Sequence, residues 1–157
     1  MPHPPLPSTQ SAVLAIEATA ARHGREVSTS HDIGRDRTFA GLVGADGTGA
    51  ATGMGTGADE FAAIPHEALV EIAGPPEVTV RLFVHDEALV TVDGVAFDVP
   101  RDSVPAFLNS LWTGLVHVRQ RVFPPSCTMI VTVPGEPSYR EAVTLLTLTP
   151  WLAGRIR

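Results

Sequence analysis

The sequence predicts a single α+β domain, mostly antiparallel sheet with two or three helices packed on it. Three observations carry that reading. Residues 77–99 alternate apolar and polar side chains in three successive runs. An Asp93-Gly94 dipeptide separates the second run from the third. An apolar series at helical spacing, Phe107, Leu108, Leu111, Trp112 and Leu115, follows soon after.

The first run, Glu77 to Val84, is dense in β-branched and aromatic residues and sets Val78, Val80, Leu82 and Val84 on one face. His85-Asp86-Glu87 is a polar connection of hairpin length leading into Ala88-Leu89-Val90-Thr91-Val92. Asp93-Gly94 suits a type I′ turn, whose two central residues need positive φ, and Val95, Phe97 and Val99 lie on one face of the run that leaves it. The product is a three-stranded antiparallel meander, stopped by Pro100, which has no N–H for a ladder. Asp102 or Ser103 is placed to cap the following helix, Pro105 sits in its first turn, and Gly114 ends it. A sheet closed on one face by such a helix is already a core, so the rest of the chain is expected to extend it.

Residues 1–9, with four prolines in Met1 to Pro7, read as a disordered proline-rich tail, and residues 10–157 as the domain. Ser8, Thr9 or Ser11 can cap a helix over Gln10 to His23 that carries Val13, Ile16 and Ala20 on one stripe and ends at Gly24. Glu26 to Ser30 suits a short polar strand and His31 to Arg37 a charged loop. Thr38 to Gly44 and Gly49 to Gly55 flank Asp46-Gly47 as a glycine-thin hairpin, with a mobile loop as the alternative. Asp59 to Ile64 begins like a helix, Pro65 interrupts it, and His66 to Ala73 reads as a short helix stopped by Gly74-Pro75-Pro76.

Beyond the central unit, Val116 to Phe123 and Thr128 to Val133 read as paired strands around a turn at Pro124-Pro125-Ser126. Ser138 and Glu141 have capping-box spacing for a helix from Tyr139, yet Val143 to Thr149, rich in Thr and Leu, suits a strand equally. Trp151, Leu152 and Ile156 are apolar enough to dock the last residues.

Composition narrows the function. At 157 residues and 44% hydrophobic, the chain is long enough to bury a core as one domain. One cysteine excludes an internal disulfide and a cysteine metal site. The first residues have no secretory pattern, and no stretch approaches the roughly 20 apolar residues of a membrane span. A soluble, cytoplasmic protein is the expectation. All 11 basic residues are arginine, which excludes Schiff-base lysines and the P-loop lysine. A net charge of −6 argues against nonspecific binding to nucleic acid or to anionic membrane.

Few residues suggest chemistry. Gly53-Met54-Gly55-Thr56-Gly57-Ala58 fits a G-x-G-x-x-A dinucleotide fingerprint, but the preceding strand is poor and no parallel βαβ unit surrounds it; a hairpin or a ligand loop fits the same residues. His85-Asp86-Glu87, His31-Asp32 and His66-Glu67 join imidazole to carboxylate, a combination that can bind a divalent metal or exchange a proton. None has H-E-x-x-H spacing, and solvated turns account for them as well. Cys127, at the start of an apolar strand, reads as a small buried hydrophobe. Arg119 and Arg121 project from one side of an alternating strand with Val118 and Val122 opposite, a face that can grip an anion or an acidic partner or simply be solvated.

The order of a strand, a glycine-rich hairpin, a helix reading Glu60-Phe61-Ala62-Ala63-Ile64 and a strand ending at Asp86 is similar to the first half of the ribonuclease H fold. The resemblance implies a divalent-metal-dependent phosphodiesterase or nuclease whose metal carboxylates are Asp32, Glu60 and Asp86. The chain departs from that family where Asp32 lacks its glycine-serine pattern, where Pro65 breaks the helix, and where a hairpin follows Asp86.

With no convergent catalytic set, the residues favour a small non-enzymatic interaction or assembly protein that needs no cofactor. It would bind another protein or itself through Val13 and Ile16 of the first helix and through Trp151 and Leu152 near the end. The metal-dependent nuclease is the alternative.

Overall fold

The computed structural model describes residues 3–31, 67–144, 146 and 148–157. Its strands are β1 (Val27–His31), β2 (Ala68–Ile72), β3 (Val78–Leu82), β4 (Glu87–Val92), β5 (Val95–Pro100), β6 (Val116–Arg121), β7 (Ser126–Val131) and β8 (Tyr139–Val143). Three α-helices join them: α1 (Thr9–Arg22), α2 (Val104–Trp112), entered through a 3-10 turn at Arg101–Ser103, and α3 (Pro150–Ala153). The first five strands form one antiparallel sheet in chain order, and β6, β7 and β8 form a second. The molecule is a single α+β domain.

The sheet of β1–β5 is built by period-2 alternation carried through register. Val70, Val80, Val90 and Phe97 stand in one row across four strands, flanked by the rows Ile72, Val78, Val92, Val95 and Ala68, Leu82, Ala88, Val99, and all are buried. The turn between β4 and β5 is the expected one, with Asp93 at φ +46° and Gly94 at φ +85°. Asp93 does further work there: Oδ1 accepts from the Glu77 N–H at 2.8 Å, and Oδ2 accepts from the Thr149 hydroxyl that caps α3. One side chain thus ties a turn, the start of β3 and the last helix together.

Helix α1 begins at a reciprocal capping box between Ser8 and Ser11, and it ends in a left-handed Gly24, φ +64°. It packs on α2 and over β1 and β2, with a hydrogen bond of 2.8 Å from Thr29 Oγ1 to Glu17 Oε1. Neither residue expected to cap α2 does so with its side chain: Asp102 accepts from the Leu6 N–H at 2.6 Å, and Ser103 donates to Glu136. The bond from Leu6, with its side chain packed against the core, holds down part of the segment read as a proline-rich tail.

Helix α2 bridges the two sheets by touching β5 and β7, while β5 itself lies beside β8. Phe107 is the joint. Its ring centroid is 5.3 Å from that of Phe97 on β5 and 5.3 Å from that of Tyr139 on β8, the second contact edge-on at 83°.

Two expectations are corrected. The stretch read as a short helix, His66 to Ala73, contains β2: Ala68, Val70 and Ile72 alternate inward and complete the sheet between β1 and β3. After Ser138, where the sequence left helix and strand open, Tyr139 to Val143 forms β8, its backbone paired with β7. Strand β6 also ends at Arg121, short of the expected Phe123. The hairpin over Thr38 to Gly55, the loop from Asp32 to Arg37 and the helix start at Asp59 lie outside the described residues, as does Gly53–Ala58.

Replacing Phe107 with Ala removes contacts to both sheets, so chemical denaturation is expected to show a loss of about 3–5 kcal/mol. A loss near that of an ordinary surface substitution, below about 0.5 kcal/mol, would show that the sheets are not coupled through this ring.

Candidate functional site

Sequence reading placed partner contacts at Val13, Ile16, Trp151 and Leu152. Val13, Ile16 and Leu152 lie instead in the core, and burial of one such aliphatic side chain is worth about 1.5–3 kcal/mol to the fold itself. Trp151 is half-buried beneath the guanidinium of Arg155, 3.8 Å from its ring centroid. The outward side of α1 keeps one large apolar residue, Leu14, exposed.

Of the three carboxylates aligned with the ribonuclease H pattern, Asp32 and Glu60 lie outside the described residues. Asp86 is fully exposed, and Arg101 Nη1 stands 3.6 Å from its Oδ1. Arg101 is itself buried, and its Nη2 donates to the backbone carbonyls of Phe83, Val84 and His85 at 3.1, 3.1 and 2.6 Å. Asp86 therefore serves as counter-charge to an arginine that fastens the β3–β4 loop. His85 and Glu87 beside it are exposed, and among the described residues no three His, Cys, Asp or Glu side chains are grouped to hold a metal ion. Of the other pairs singled out, Asp32 and His66 are not described, and Glu67 pairs with Arg81 at 3.4 Å. Cys127 is buried, as its place on an apolar strand implies.

The densest polar knot is one that sequence reading missed. Glu136, in the β7–β8 connection, accepts from Ser103 at 2.5 Å and Tyr139 at 2.7 Å, with His3 Nε2 at 2.9 Å. The serine hydroxyl meets the carboxylate and not the imidazole, so this is not a nucleophile with its base. It is a clasp. Burial pushes the Glu136 carboxyl up, but the bonds from Ser103 and Tyr139 and the nearby His3 outweigh it and hold it below its usual range. Burial, then the hydrogen bond and charge of Glu136, push Tyr139 up to about 12.

A second feature faces solvent. In the sheet of β6–β8, Val116, Val118, Cys127, Met129, Val131 and Val143 point inward, so alternation places His117, Arg119, Arg121, Thr128, Ile130 and Arg140 on the other side. The three strands contain a single carboxylate, Glu141, and it shares the opposite side with Tyr139 and Val143. Among the described residues, none of the three exposed guanidinium groups on this face is paired with a carboxylate. The main chain of Arg155 and Arg157 bonds to Val118 at 2.8 and 3.0 Å, which covers the outer edge of β6 and brings exposed Arg157 to the same flank. At the tip of the β6–β7 hairpin, Val122 and Phe123 are each 88% exposed. Sequence reading found Arg119 and Arg121 on one side but set Val122 opposite them; because β6 stops at Arg121, Val122 faces water instead. Arg140 joined the face only through β8, which was undecided from sequence.

The other broad surface is the outward side of β1–β5. At one end it holds an open depression of about 410 Å³, lined by Glu26, Ser28, Glu71, Glu77 and Thr79 with the edges of Val27, Ile72, Ala73 and Val78 between them. Glu26, Glu71 and Glu77 are exposed and, among the described residues, pair with no cation. A smaller one of about 330 Å³, lined by Ser30, Glu67, Leu69 and Arg81, lies further along.

The clasp predicts opposite behaviour at the two ends of the pH scale. A carboxyl held below its unfolded pKa stabilises the fold above that value, and the contribution of Glu136 is lost as pH falls through the folded pKa. The raised phenol contributes fully below the ordinary value of 10.0, and its contribution is lost as pH rises from there toward about 12. Tyr139 is the only tyrosine, so ultraviolet absorbance of its phenolate reads it directly. The midpoint is expected near 12 in the native chain and lower in Glu136→Gln, where burial alone still holds it above 10.0. Equal midpoints in the two proteins would show that Tyr139 does not donate to this carboxylate.

Compared with family models, curated proteins and solved structures, the chain matches none.

Proposed function

We propose that this chain is a non-enzymatic protein-binding module that docks on an acidic protein surface through the outward face of β6–β8 and the tip of the β6–β7 hairpin. The observation that carries this reading is the pairing of Arg119, Arg121 and Arg140, exposed and without carboxylate neighbours on their face, with Val122 and Phe123, each 88% exposed at the adjoining tip. A face selected only for solubility needs no phenylalanine at its end. Arginine and aromatic side chains together are the residue types that dominate binding hot spots, where the ring is desolvated and the guanidinium makes several directed bonds. In a chain of net charge −6, a face free of acids attracts acidic partners locally while the rest of the surface repels them, which favours one docking orientation.

Fluorescence anisotropy with a labelled peptide of Glu, Leu and Ala tests this. Binding with Kd on the order of 10–100 µM is expected, as befits a small contact. The double variant Arg119→Glu/Arg121→Glu is expected to weaken it about tenfold or more, and Phe123→Ser severalfold, with melting temperature unchanged because these side chains touch no core. Equal binding by native protein and double variant would refute the proposal. So would indifference to the peptide combined with binding to phosphatidylserine vesicles, which would make the tip a membrane-inserting loop.

A further inference from the structure

The hairpin and the acidic depression match each other, and we infer that the acidic surface met by the β6–β7 hairpin is the β1–β3 depression of a second copy of this chain. The inference rests on the proposed binding role of the hairpin and names its partner.

The depression presents three carboxylates around exposed Ala73, with only the edges of Val27, Ile72 and Val78 beneath. Register sets Glu71 beside Ser28 and Thr79, while Glu26 and Glu77 flank Ala73 one row along, where the Ala73 N–H bonds to the Glu26 carbonyl at 3.0 Å. Two strand spacings separate Glu26 from Glu77, about 10 Å, and Arg119 and Arg121 are two residues apart on one strand, about 7 Å. The dimensions are therefore comparable. The hairpin has the inverse arrangement: an apolar tip, Val122 and Phe123, with cations behind it. Seating Phe123 over Ala73 brings arginines to the carboxylate rim, so that neither apolar surface nor charge is left uncompensated. The two sites are different patches of the same chain, which makes the contact heterologous. Each docked copy still offers a free hairpin at one end and a free depression at the other, and assembly proceeds to a ring or an open chain. The contact is small and partly ionic, so it weakens with salt.

Light scattering across a concentration series tests this. The native chain is expected to exceed its 16.6 kDa mass increasingly with concentration at low salt, and to return to it at about 1 M salt. Arg119→Ser/Arg121→Ser and Glu71→Gln/Glu77→Gln, which remove charge without creating a new complementary pair, are each expected to be folded by circular dichroism and monomeric alone. Mixed in equal amounts, they retain one intact hairpin and one intact depression between them, and they are expected to give a species of twice 16.6 kDa that grows no further. Native protein that stays at 16.6 kDa up to about 1 mM overturns the inference; if it still binds the acidic peptide, the hairpin's binding role survives and only the partner is wrong. A mixture of variants that stays monomeric beside an associating native chain overturns the head-to-tail arrangement.

Discussion

The ring of Phe107 is the constraint on which this architecture depends. The two sheets share no ladder among the described residues, so what joins them is side-chain packing, and Phe107 lies between Phe97 of one sheet and Tyr139 of the other. The clasp reinforces the same joint, because Tyr139 reaches Glu136 with its hydroxyl while Ser103, at the mouth of α2, reaches the other oxygen. Apolar and polar contacts converge there. The orientation of the small sheet, and with it the direction in which its hairpin points, follows from how one helix is seated.

Inside, β2 to β5 and β7 obey alternation; outside, the surfaces diverge in charge. That divergence is free of folding constraints. An exposed guanidinium in water costs little whether paired or not, and surface ion pairs contribute at most about 1 kcal/mol, so nothing in the stability of β6–β8 requires its outward face to exclude acids. The same holds for the carboxylates gathered around Ala73. A buried arginine is different. Arg101 has surrendered its hydration and must be answered by the carbonyls of Phe83, Val84 and His85, which is why the β3–β4 loop follows it closely.

The meander was legible because three signals agreed there: alternation, an Asp-Gly turn and a proline stop. Strand β2 was not, since Ala, Leu and Glu are good helix formers and Pro65 with Gly74 bracketed a length suited to one helical turn or two; only the neighbours β1 and β3, unseen in one dimension, make Ala68-Leu69-Val70-Glu71-Ile72 a strand. Strand β8 carried a false capping box, because Ser138 and Glu141 have the right spacing whatever the backbone does. The surface features were half visible. Arg119 and Arg121 could be placed on one face by counting, whereas Arg140 and the carboxylates around Ala73 needed sheet register to bring them together. The clasp could not be read at all, since its members come from three distant parts of the chain.

The order in which the chain is made adds a consequence to the placement of α1. Its C-terminal His23 bonds to Asn109 of α2, 86 residues later. At a synthesis rate of about 5–20 residues per second, α1 waits roughly 4–17 s for the helix that covers it. During that interval the meander can close hairpin by hairpin, each strand pairing with the one just made, while α1 has only β1 and β2 to rest on. A helix whose buried stripe is thinned by Ala12 and Ala20 suits that wait, because it offers little greasy surface to a neighbouring nascent chain.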